Sequence, residues 1–163
     1  MPLYSIPYRF SVRLPAPPDA AFRWATDFRS DDLSLSGRAG TRKVEWLTPD
    51  ALLLTDTIPK GRGTDSKTRL VRLYPKRFAW TNTHVRGSSL HSQFLYELTP
   101  SGRGASRLEF TGLQLLRLAR GPSPRATATL GRALAREDAA LWRALARAMA
   151  RDLGARRVRR ASR

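Results

Sequence analysis

A run of leucines at helical spacing, residues 124–153, decides what the rest of the chain must provide. Ser123 can cap such a helix, Pro124 suits its first position, and Gly154 can end it. At about 100° per residue, Leu130, Leu134, Leu141, Leu145 and Ala148 share one face, with Met149 at its edge. Arg132, Arg136, Arg143, Arg147 and Arg151 gather on the opposite side. At roughly 1.5 Å per residue the segment is about 45 Å long, longer than a small domain is wide. A one-sided helix of that length needs a broad apolar surface to lie on. Gly131 weakens its first two turns and marks a candidate bend. Glu137 and Asp138 flank the leucines, each within roughly 60° of the stripe's centre. Neither has an Arg three or four residues away to pair with. Two readings stand: a basic partner on a neighbouring element, or, for Asp138, a place at the edge of a pocket under the helix.

Composition narrows the class. A chain of 163 residues, 41% hydrophobic and with four Trp, reads as one folded domain. No run approaches the roughly 18 apolar residues of a membrane span, and MPLYSIPYRF lacks a signal-peptide core, so a cytoplasmic protein is expected. Without cysteine there is no thiolate nucleophile or cysteine metal site, and two His are too few for a histidine-rich metal centre. Neither a metal nor a cofactor is expected. The net charge of +17 attracts anions: nucleic acid, acidic lipid, or a phosphorylated or carboxylated small ligand. Nearly all of it is Arg, the lysines being Lys43, Lys60, Lys67 and Lys76. Residues 154–163, with Arg156, Arg157, Arg159 and Arg160, form a candidate basic tail after a domain of residues 1–153.

Before the helix the period is mostly that of strands. Tyr8, Phe10, Val12 and Leu14 alternate with Arg9, Ser11 and Arg13, a strand with one buried face. Pro15, Pro17 and Pro18 stop it, and Asp19 opens a short helix with Ala21, Phe22 and Ala25 inward. Residues 31–35 suggest a second short helix before Gly37 and Gly40. Strands follow at 42–47, 51–58, 67–74, 77–85, 90–98 and within 106–118, with 59–66 read as a polar loop. Sequential strands with short turns imply an antiparallel meander, and only the C-terminal helix is large enough to cover its apolar side.

Two features carry a resemblance: the opening YRFSVRLPAPPDAAFRWATDF (residues 8–28), and the long amphipathic helix after a run of hairpins. In these the chain resembles the START-like helix-grip (SRPBCC) superfamily, which includes polyketide cyclases and aromatases, lipid-transfer domains and the birch-pollen-allergen type. The resemblance covers residues 8–153. It implies an α+β fold: a curved antiparallel sheet of about seven strands wrapped on the long helix, two short helices after the first strand, and an apolar cavity for a hydrophobic ligand. The inward faces are then Phe78, Trp80, Asn82 and His84; Ser92, Phe94, Tyr96 and Leu98; and Leu108 and Phe110. They would look toward Leu134, Asp138, Leu141 and Leu145. A solid aromatic core is the competing reading, and a one-residue slip would reverse the faces. The allergen type's glycine-rich loop does not carry over, because the matching turn here is the short Thr48-Pro49-Asp50.

Chemistry is sparse. His84, near Asn82, can act as acid, base or hydrogen-bond donor, whereas His91 lies close to a turn. Asp56 alternates with Leu52, Leu54 and Ile58, which turns it inward, with an Arg partner or edge solvation as the plainer explanation. Gly61-Arg62-Gly63 lacks the GxxxxGK[ST] pattern of a phosphate loop. Three functions follow as expectations. The first is a carrier of a hydrophobic, optionally anionic, small molecule, oriented by His84, Asn82, Tyr96 or Asp138. The second is a cyclase- or dehydratase-type enzyme in the same cavity, with His84 and Asp56 as catalytic candidates. The third is a basic module that meets RNA, ribosomes or acidic lipid through the helix arginines and the tail. Oligomeric state is not legible.

Overall fold

The alternating N-terminal stretch forms β1, Leu3–Leu14, and proline residues end it as expected. A computed structural model describes residues 1–161; the side chains of residues 155, 157–159 and 161 lie outside the described residues, and with them the tail arginines Arg157 and Arg159. After β1 come α1, Pro18–Ala25, with Ala21, Phe22 and Trp24 buried, and α2, Asp32–Leu35, with Leu33 buried. The meander is β2, Thr41–Thr48; β3, Ala51–Lys60; β4, Gly63–Tyr74; β5, Ala79–Arg86; β6, Gln93–Pro100; and β7, Ser106–Arg117. The closing helix is α3, Pro124–Ala161.

All seven strands form one antiparallel sheet in the order β1-β7-β6-β5-β4-β3-β2. The sheet is curved around α3, with register breaks at Trp46/Thr48 and Thr68/Arg69, the kind of irregularity that bends a strand. Pairing the first strand with the last closes one side of the layer over α3. Inward faces fall as the alternation requires: Trp80, Asn82 and His84 on β5, Phe94 and Leu98 on β6, and Leu108 and Phe110 on β7 are all buried.

Local expectations need correction at five places. The strand expected from residue 77 begins at Ala79, because Pro75–Arg77 form a 3-10 turn and Phe78 has φ 49°, so Phe78 is not on the inward face of a strand. Residues 59–66 are not a loop: Pro59 pairs with Thr64 and Lys60 with Gly63, leaving a two-residue turn at Gly61 and Arg62. Their polarity marks strand ends that project past the core, not a loss of pairing. The sixth strand starts at Gln93, not residue 90, because Leu90 to Ser92 are taken up by turn hydrogen bonds and His91 has φ 70°. Gly154 does not stop α3, which continues to Ala161, so residues 154–161 belong to the helix. The buried face of α3 is also rotated from the leucine stripe. Gly131, Ala139, Trp142, Ala148 and Met149 are buried, while Leu130 is 37% exposed. Counting leucines alone overlooked a glycine and a tryptophan.

Gly131 is where α3 touches β1 most closely: a Cβ there would meet the Pro7 carbonyl oxygen at 2.7 Å. Helix propensity favours Ala over Gly by about 1 kcal/mol. The overlap is with backbone, which cannot swing aside, and overpacking costs about 1–3 kcal/mol. Gly131→Ala is therefore expected to lower the urea-unfolding free energy; a gain in stability would contradict the close seat.

Candidate functional site

Cross-strand register sorts the inner sheet face into rows. One row runs Leu73, Trp80, Tyr96, Phe110 and Phe10 from β4 to β1. Its rings stack in two pairs, Trp80 on Tyr96 at 4.9 Å and Phe10 on Phe110 at 4.5 Å, and Tyr96 meets Phe110 edge-to-face at 5.1 Å. The next row runs Leu52, Val71, Asn82, Phe94, Gly112 and Tyr8. Gly112 has no side chain because any Cβ there would lie 2.6 Å from the Phe110 ring and 2.9 Å from that of Tyr8. Beyond it the rows become polar: Arg69 lies opposite His84, and Asp56 lies opposite both Arg42 and Lys67. The inner face thus grades from hydrocarbon through aromatic rings to ionisable groups.

A cavity opens between this graded face and α3. Its larger lobe, about 240 Å³, is lined by Tyr8, Asp56, His84, Phe94, Leu134 and Asp138, among others. A smaller lobe of about 120 Å³ reaches toward α1 and α2, past Trp80, Asn82 and Leu145. Arg38, Asp56, Arg69, Tyr96, Leu141 and Trp142 border both lobes. Most of the side chains expected at a cavity do line one. Phe110 does not: it is 2% exposed and lies in the ring stack, with Phe10, Tyr8 and Tyr96 around it. Asp56, His84 and Asp138, which the sequence could not bring together, share the larger lobe.

Asp56 is the most tightly held group. Arg42 donates Nε to Oδ1 at 2.7 Å and Nη2 to Oδ2 at 2.9 Å, while Arg69 bonds Oδ2 as well. A third Arg42 nitrogen reaches Asp32 on α2 at 2.9 Å. Burial alone would raise the Asp56 pKa, but the Arg42 hydrogen bonds and the two guanidinium charges outweigh it and hold the carboxyl below its usual range. Its role is to neutralise two half-buried arginines. Asp56→Asn would leave both cations without their shared counter-charge, and we expect a loss of about 3–5 kcal/mol of stability, measurable by chemical denaturation.

Asp138 is placed differently. Among the described residues it has no basic partner at ion-pair distance, which the first of its two readings expected; instead the Tyr8 hydroxyl donates to Oδ2 at 2.6 Å. Burial raises the Asp138 pKa, opposed by that hydrogen bond, and Glu137 adds to the rise. The Tyr8 phenol is itself pushed up, by burial and then by the Asp138 charge, so it remains a donor. Glu137 is exposed at the rim of the lobe. Sequence reasoning missed Tyr8, Arg38, Arg69 and Trp142. Tyr8 was visible as a polar-tipped member of its alternating face, and Trp142 lies four residues after Asp138, one turn along the same helix face.

His84 is buried, with its imidazole edge-on to Phe94 at 5.2 Å. Burial, followed by the Arg69 and Lys67 charges, lowers its pKa to about 4, so it is neutral at pH 7. Its Nδ1 and the Asn82 amide oxygen are buried and, among the described residues, have no hydrogen-bond partner. Unfolded, an imidazole protonates near 6.5, so from there down to about 4 the unfolded chain binds more protons through this group and stability falls with pH. Asp27, raised by burial to about 6 from 3.8, acts in the opposite sense over part of that window. The difference between wild type and His84→Gln isolates the first effect. It is expected to shift in the variant's favour by up to about 3 kcal/mol between pH 6.5 and 4. An imidazole that titrates near 6.5 by NMR would contradict the burial argument.

No family model matches the sequence, and no curated protein matches it. Solved structures do. The chain is similar to the Zhui aromatase/cyclase from a Streptomyces species, with TM-score 0.65 and 14% identity over 89% of this chain and 96% of that one. A START superfamily protein from Mycobacterium smegmatis superposes with TM-score 0.67 at 14% identity, over 89% and 97%. Truncated norcoclaurine synthase from Thalictrum flavum gives 0.64 at 9%, over 90% and 94%. This is the START-like helix-grip fold. In helix-grip terms, β1 to β7 are the grip, α3 is the gripped helix, and the cavity lies between them. The outer face of α3 presents Arg132, Arg136, Arg143, Arg147 and Arg151, all exposed; Arg156 and Arg160, also exposed, lie on the side toward α1, beside Trp24 and Asp27. No helix among the described residues is long and apolar enough to cross a membrane.

Proposed function

We propose that the chain binds a hydrophobic small molecule in the cavity between the sheet and α3. The observation that carries this reading is the pair of unpartnered polar atoms on β5, Asn82 Oδ1 and His84 Nδ1, at a cavity walled by Phe94, Tyr96, Leu141 and Trp142. A buried polar atom left unpaired costs about 1–3 kcal/mol, and a ligand that brings a matching group recovers that cost. Small-molecule sites combine apolar walls with convergent polar groups; here Phe94, Leu134, Leu141 and Trp142 meet a polar end that includes Arg38, Asp56, Arg69 and Asp138. The fold's aromatase/cyclase and START-protein neighbours support the same reading. A lobe of about 240 Å³ lies below the ~300–1,000 Å³ of drug-sized pockets, which favours a compact ligand or one that projects through the mouth.

The shared lobe of Asp56, His84 and Asp138 favours a second reading, an enzyme of cyclase or dehydratase type. Two features weigh against it. Asp56 already engages two guanidinium groups, and a histidine with pKa about 4 is a weak base at neutral pH. The carrier reading is therefore preferred. Neutral N-phenyl-1-naphthylamine, whose emission rises on leaving water, is the probe. Saturable binding is expected, weakened at least about tenfold by the cavity-filling Leu134→Trp and only about threefold or less by His84→Ala. Binding unaffected by Leu134→Trp would refute the cavity as the site.

A further inference from the structure

Arg38 stands apart from the other cations of the cavity. Arg42 and Arg69 share Asp56, Arg42 also holds Asp32, and Lys67 lies 3.8 Å from Asp65. Arg38 borders both lobes and is exposed at the rim, yet among the described residues it has no carboxylate within ion-pair distance. Both oxygens of Asp56, the carboxylate that borders both lobes, are already taken. The charge of Arg38 still reaches inward, lowering the pKa values of Asp138, Asp56 and Tyr96 as a minor contribution to each.

The loop that carries it is built to keep it there. The Arg38 amide donates to the Leu33 carbonyl at 2.8 Å, fixing the end of α2. Gly37 turns the chain with φ 75°. Gly40, with φ 136°, lies so close to β3 that a Cβ would meet the Thr57 carbonyl oxygen at 2.4 Å. Two backbone requirements that only glycine meets easily thus bracket Arg38. A guanidinium on an anchored loop, at the junction of two lobes and without a counter-charge, is arranged to receive an anion from outside.

We propose that Arg38 is the anion-binding residue of the cavity, and that the ligand is an amphiphile with one anionic group at the mouth and an apolar body in the larger lobe, against Phe94, Leu134 and the packed Tyr96 and Trp142 rings. This deepens the small-molecule reading above and rests on it. The body lies against rings, where desolvation is favourable, and the anion stays at the half-solvated rim, where a planar guanidinium can take a carboxylate, sulfonate or phosphate through two parallel hydrogen bonds.

Two probes that share an apolar body separate the terms: 1-anilinonaphthalene-8-sulfonate, which carries an anion, and N-phenyl-1-naphthylamine, which does not. Arg38→Gln is expected to weaken the sulfonate at least about tenfold and the neutral probe by no more than about twofold, with Arg38→Lys in between. Arg143→Gln, on the outer face of α3, is the surface-charge control and is expected to leave both affinities unchanged. If Arg38→Gln weakens both probes alike, or neither, the anion role is overturned while the cavity reading stands. If Leu134→Trp leaves the neutral probe unaffected, the cavity reading fails, and this proposal fails with it.

Discussion

At Gly131 the helix α3 lies so near β1 that a single methyl group would overlap the Pro7 carbonyl oxygen, and the geometry of the interior follows outward from that contact. One turn further on, Leu134 and Ala135 rest on the rings of Tyr8, Phe94 and Phe110. Another turn on, Asp138 takes the Tyr8 hydroxyl at 2.6 Å, tying the helix to the same strand by a charge-assisted bond. Because β1 is an edge strand that pairs only with β7, the helix anchors at one side of the sheet and must span the curved remainder. Trp142 and Met149 make contact farther along, against the main core. The space between a seat at one edge and a curved floor is the cavity. A helix held farther from β1 would widen it, and a flat sheet would close it.

The cavity's polar end is costly to maintain, and the structure shows how it is offset. Three carboxylates and two guanidinium groups are drawn together at Asp32, Arg42, Asp56, Arg69 and Asp138, in a region where unpaired charge is penalised by several kcal/mol. Pairing neutralises the first four, and Tyr8 partners the fifth. What remains after this pairing is the β5 pair Asn82 and His84 deep in the site, and Arg38 at its rim. A domain stabilised only for its own sake would be better served by hydrocarbon at these positions. Retained polar groups with unmet hydrogen-bonding capacity are therefore more informative about a ligand than the aromatic walls, which any core can have.

Much of the fold was legible because it rests on periodicity. Tyr8, Phe10, Val12 and Leu14 could face only one way, and the hairpins could pair only with their neighbours, so the meander from β2 to β7 followed from strand count and turn length; the pairing of β1 with β7 did not. What the sequence hid depended on tertiary contacts. The 59–66 stretch looked like a loop because its residues are polar, yet its backbone pairs to the tip. Gly131 looked like a weak point of the helix and is a close-packing point. Gly154 looked like a stop, but nothing in an isolated helix obliges glycine to end it. Asp56 and His84 could be placed on inward faces from alternation alone. That Asp56 would be held by Arg42 and Arg69, and that Phe110 would sit behind the cavity instead of in it, required the cross-strand register.

The central claim is that an apolar body enters between the sheet and α3. The most direct measurement is an NMR experiment on the labelled protein with N-phenyl-1-naphthylamine, recording nuclear Overhauser contacts from its ring protons. The account predicts contacts to Phe94, Tyr96, Leu141 and Trp142. Contacts confined to exposed apolar side chains such as Trp46 and Leu47, with none to those four, would contradict it.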